Sequence, residues 1–148
     1  MPADGGSIVV GVDGSDGSRG ALEFAVDEAL LRNLSVRAVL VYEPPDLWVI
    51  PAGVRVDMHE LRQAATQKVL AMVESVADAR RRRGEAVPVV RAEVHPGPAS
   101  PVLERLSREA KLLVVGHRGR GEVATRLIGS VGLNCVVHAR CTVVVVRS

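Results

Sequence analysis

The chain has almost no aromatic residues: Phe24, Tyr42 and Trp48 are the three among 148. A core without rings must be assembled from Val, Leu, Ile and Ala, which favours a tightly layered parallel sheet over an aromatic-rich barrel. Cysteine is equally scarce. Cys135 and Cys141 have no CxxC spacing and are too few for a disulfide framework, so buried free thiols are expected. No apolar run approaches the roughly 18 residues of a membrane-spanning helix. The opening MPADGGS is acidic and polar where a secretory signal would be basic and then apolar. A soluble, cytoplasmic protein with no membrane partner is the expectation. The net charge is only +2, and no basic stripe is interleaved with stacking rings, which argues against a nucleic-acid partner.

Catalytic signatures are missing too. No GKS or GKT follows a glycine loop, so the P-loop lysine that stabilises a leaving phosphate is absent. There is no GxSxG elbow and no convincing Ser-His-Asp order. His59, His95, His117 and His138 contain no HxxxH pair, and no structural metal is expected.

What is present is enough apolar material, 47% of the residues, for one ordinary domain spanning residues 1–148. The most informative stretch is Lys111 to Ser130, KLLVVGHRGRGEVATRLIGS. An apolar run, Leu112 to Val115, stops at Gly116 and a Gly-rich basic segment, and Gly129-Ser130 precedes a helix-spaced run ending near His138. Strand, wide loop and helix start are predicted. Glycines let backbone amides approach an anion closely, and a helix N-terminus adds unpaired N–H donors, so the pattern predicts a phosphate cradle.

The remaining chain alternates. Strands are predicted at Ser7 to Asp13, Val36 to Tyr42, Val87 to Glu93, Leu112 to Val115 and Thr142 to Val146. Helices are predicted at Ser18 to Arg32, Asp57 to Arg83, within Pro98 to Ala110, and at Ser130 to His138 with Val131, Cys135 and His138 in register. Pro88 assigns the third strand to an edge or makes it the first strand residue. Arg80 to Arg83 before Gly84 read as cations favoured by the helix dipole. Glu43 to Arg55, with Pro44, Pro45, Pro51 and Gly53, forbids a regular element and is a candidate lid carrying Trp48. Repeated βαβ units specify a parallel sheet with helices on both faces, whose ligands sit beyond the strands' carboxyl ends where the winding reverses. Asp13 and Gly116 end two of those strands.

The chain resembles the nucleotide-binding universal stress proteins, from IVVGVDGS at residues 8–15 to CTVVVVR at 141–147. The family's glycine pattern, Gly, two residues, Gly, nine residues, Gly, then Ser or Thr, is met by Gly116, Gly119, Gly129 and Ser130. The resemblance implies a Rossmann-like α/β fold with an open five-stranded parallel sheet in the order 3-2-1-4-5. It also implies a cofactor, ATP with Mg²⁺, and assigns the phosphates to Gly116, Gly119, Gly129 and Ser130, with Val131 and Gly132 completing the cofactor-binding positions. Asp13 falls near the ribose and the metal, and the backbone of Val41 faces the adenine. Many binders carry a second hydroxyl in a GSVS run, where this chain has GSVG and Gly132.

From the residues alone, Ser130 is either a phosphate donor or an ordinary N-cap, and Asp13 either a ribose or metal ligand or the Asx residue of a turn. Arg118 and Arg120 screen phosphate or are simply solvated. An ATP-binding stress-response or signalling module with little or no turnover is the leading expectation. A slow ATPase and a nucleotide-free dimeric interaction protein of the same fold are the alternatives. The resemblance implies a homodimer through Thr142–Val146, whose edge neither Pro nor Lys protects.

Overall fold

The computed structural model describes residues 6–46, 51–117 and 128–147. Nine elements alternate along them: β1 (Ser7–Val12), α1 (Asp16–Arg32), β2 (Ser35–Tyr42), α2 (Met58–Arg82), β3 (Val90–Pro96), α3 (Ala99–Ser107), β4 (Ala110–Gly116), α4 (Ser130–His138) and β5 (Thr142–Val146). All strand pairs are parallel, and the sheet runs β3-β2-β1-β4-β5, the order expected.

Strand periodicity divides the core into two layers. Ile8, Val10 and Val12 of β1 face Leu22, Val26 and Val69 of α1 and α2, whereas Val9 faces Leu103, Leu106 and Cys135 of α3 and α4. Central strands buried on both faces need apolar residues at every position, which explains the unbroken Val-Leu runs. Helix ends follow local chemistry. Ser15 caps α1 by accepting from the Ser18 amide, Asn33 leaves it in a left-handed conformation at φ 55°, and Asp57 caps α2 by accepting from the His59 and Glu60 amides.

Two expectations are corrected and one is refined. The third strand begins at Val90, after Pro88, and continues to Pro96, although its edge position is as Pro88 required. Val89 still accepts a hydrogen bond of 2.8 Å from the Val36 amide. At the end of α2, Arg81 and Arg82 stand in the last turn as the dipole favours, beside Arg80, which does more. It is 7% exposed and ties α1 to the α2–β3 connection, donating to Asp27 at 2.7 Å and to the Ala86 carbonyl at 3.1 Å. His138, expected in register with Cys135, is exposed, and the buried positions of α4 are Gly132 and Cys135.

The winding proceeds outward from β1 to β3, then α3 returns the chain to β4 on the other side of β1. The reversal therefore lies between the carboxyl ends of β1 and β4, and it opens a crevice there.

Candidate functional site

The end of β1 is held by a closed set of hydrogen bonds. Asp13 accepts from the Ser15 amide at 2.9 Å and the Ser15 hydroxyl at 2.5 Å, which is the Asx turn anticipated for it. The Ser18 hydroxyl accepts from the Asp13 amide at 3.2 Å and donates to the Ser15 carbonyl at 3.0 Å. Ser18 is buried, so the carboxylate is presented from a rigid turn.

Across the crevice, β4 ends against this same turn. A Cβ at Gly116 would meet the Gly17 carbonyl oxygen at 2.9 Å and its carbon at 3.0 Å. Only glycine allows β4 and the first turn of α1 to approach so closely. His117 then donates to the Val146 carbonyl at 2.7 Å and accepts from the Gly129 amide at 2.8 Å, fixing the start of α4 beside the end of β4.

The N-cap of α4 is Gly129, and no side chain caps this helix. Ser130 is its first helical residue and is exposed, so the reading of Ser130 as an ordinary N-cap does not hold. The opening amides of a helix lack intrahelical acceptors, and here glycine offers none of its own. Gly132 is buried, and a Cβ there would lie 3.1 Å from Ile128 Cγ1.

A cavity of about 290 Å³ joins these parts, lined by Asp13, Val41, Gly116, Gly129, Ser130, Val131 and Gly132. Seven of the eight expected cofactor positions thus meet at one cavity, while Gly119 lies outside the described residues, as do Arg118, Arg120 and Trp48. The apolar wall is formed by Val39, Leu103 and Val115, with Gly11 and Ala99, and sequence reasoning missed it. A glycine inside β1 was its available signal. Asp13 is the charged residue of the described lining. No group of three His, Cys, Asp or Glu side chains among the described residues is arranged to hold a metal ion.

Farther out on β2 and β3, Arg37 binds Glu93 through two hydrogen bonds of 2.7 and 3.0 Å, and His95 Nε2 lies 3.1 Å from Glu93. The guanidinium holds the Glu93 carboxyl below the usual carboxylate range, and the Arg37 value is raised in return. On the buried face of α4, desolvation by burial pushes the Cys135 thiol up to about 11, which leaves it an inert packing group at neutral pH.

Residues 6–147 match the model of the universal stress protein family. The chain belongs to that family. Two universal stress proteins of Mycobacterium tuberculosis are similar to it. One is 38% identical over 140 residues, covering 95% of this chain and 44% of the relative, and the other is 33% identical over 150 residues, covering 94% and 47%. This universal stress protein chain therefore spans a little under half the length of these curated relatives. Among solved structures, a universal stress protein in complex with cAMP shares 26% identity, a TM-score of 0.65, and coverage of 96% of each chain.

Proposed function

We propose that this universal stress protein domain binds an adenine nucleotide, ATP with Mg²⁺, in the β1–β4 crevice and acts as a stress-response or signalling module with little or no turnover. One observation carries the reading: the start of α4, capped by no side chain, lines the same cavity as Asp13 and Val41. Helix-start amides suit phosphate oxygens, with Ser130 adding a hydroxyl and Gly132 an amide. The cAMP complex of a relative supports an adenine nucleotide as the class. The donor set fits Mg²⁺ as well. Magnesium is held by one or two carboxylates together with phosphates and water, and Asp13 supplies a single carboxylate. Bound there, the ion would offset phosphate charge.

Adenine selectivity follows from strand parity. Val36 donates toward β3, so the alternate residue Val41 directs its amide and carbonyl toward β1. The last pair between β1 and β2 is Val12 with Leu40, and Val41 lies just beyond it. A backbone donor and acceptor side by side match the acceptor and amino donor on adenine's pairing edge, and guanine presents the reverse. The described lining holds no Lys, Arg or His, which supports the reading of little or no turnover. Gly132 favours a second reading, a nucleotide-free interaction protein.

We also infer a cytoplasmic homodimer. Among the described residues β5 pairs with β4 alone, and α4 exposes Leu133, Val136 and Val137 on the same side of the sheet as Val143 and Val145. Calorimetry of protein stripped of ligand tests the nucleotide reading. ATP with Mg²⁺ should give saturable heat and GTP much less. No heat with ATP at millimolar concentration contradicts it.

A further inference from the structure

The inward stripe of α2 runs Ala65, Val69, Met72 and Val76, with steps of three and four residues. Lys68 stands beside Val69, exposed at the margin of that line. Its stem touches the loop bordering the crevice, and the next turn of α2 touches the cavity wall. A Cβ at Gly14, where φ is +88°, would lie 3.1 Å from Lys68 Cδ, 3.6 Å from Cγ and 3.8 Å from Cε, so the lysine stem passes directly over the loop that follows Asp13. The ammonium is one bond beyond Cε and stays within about 5.5 Å of that point. One turn further along, Met72 Sδ lies 3.9 Å from the hydroxyl of Ser18, a residue of the cavity lining. Lys68 is thus a helical turn toward the mouth from a residue already touching the cavity wall.

The charges explain why this matters. Asp13 is the charged residue of the described lining, and it is negative. A phosphate chain extending past the α4 start toward the β1 turn accumulates negative charge that helix amides serve poorly beyond the first turn. Among the described residues, Arg80, Arg81 and Arg83 at the far end of α2 are each engaged by carboxylates, while Lys68 makes no ion pair with any described residue. Its stem rests on the Gly14 loop and its exposed ammonium is open to an anion at the edge of the crevice.

The geometry points to Lys68 as the residue that recognises the outer phosphates of the nucleotide, making the site selective for nucleoside di- and triphosphates over monophosphates. This rests on the adenine-nucleotide reading of the crevice and adds the polyphosphate to it. Lys68 is a binding residue here and takes no part in bond breaking.

Titrating AMP, ADP and ATP, each with Mg²⁺, into the parent, Lys68→Met and Lys68→Arg proteins tests it. Lys68→Met should weaken ATP by about tenfold while leaving AMP within about twofold, since removing one charged hydrogen bond is felt only where the phosphate reaches it. Lys68→Arg should retain most of the ATP affinity. An ATP affinity unchanged in Lys68→Met, or equal losses for AMP and ATP, overturns the assignment. A parent that binds AMP but not ATP overturns it and leaves the adenine-nucleotide reading standing, whereas a parent that binds neither removes both.

Discussion

A methyl group added at Gly116 would meet backbone atoms of Gly17 at 2.9 and 3.0 Å, whereas one added at Gly132 would meet the side chain of Ile128 at 3.1 Å. The difference decides which substitution the fold tolerates, because a side chain rotates away and a helix start does not. Gly116→Ala should destabilise the protein by about 1–3 kcal/mol through overpacking. Gly132→Ala should show a clearly smaller loss in the same thermal melt. A Gly116→Ala melting temperature equal to the parent's contradicts the close approach of β4 and α1. The glycine pattern was legible in the sequence, but the reason for its first member was not. Gly116 meets α1, which lies about a hundred residues earlier, and no local reading shows that contact.

At the scale of elements, β2 and β3 are cross-linked by Arg37 and Glu93, two charged side chains that strand patterning counts only as polar positions. The Glu93 carboxyl is held low first by its hydrogen bond to Arg37, against desolvation. A carboxyl with a depressed folded value contributes stability above its unfolded pKa of about 4.3 and loses it as pH falls through the folded value. Water reaches much of this pair, so the contribution is modest. Melting temperature followed from about pH 6 down to 3 should fall more steeply for the parent than for Glu93→Gln. Parallel curves would show that the cross-link adds nothing. Strands and helices were legible because valine runs and helical spacing are local signals, and the element order followed from their alternation. Less legible were the start of β3, where Pro88 stands outside the strand, and Arg80, whose burial depends on Asp27 of another helix. The apolar wall of the cavity was missed because Val39, Leu103 and Val115 read as ordinary core.

For the molecule as a whole, the edge of β5 and the cavity at β1 and β4 are the surfaces the proposed function uses. The Val146 carbonyl accepts from His117, so Val146, Val144 and Thr142 direct their backbone groups to β4, and Val143 and Val145 direct theirs outward. Val145→Pro therefore removes an outward N–H while sparing the ladder to β4. Sedimentation at low micromolar concentration should give a dimer for the parent and a monomer for this variant. A monomeric parent contradicts pairing through β5. The central claim is that the crevice holds an adenine nucleotide between the α4 start and the end of β2, and amide chemical shifts read that location residue by residue. Adding ATP with Mg²⁺ to isotopically labelled protein should move the Gly129, Ser130, Val131 and Gly132 amides together with Asp13 and Val41. Saturable shifts confined to other residues, or none at millimolar ATP, would contradict the account.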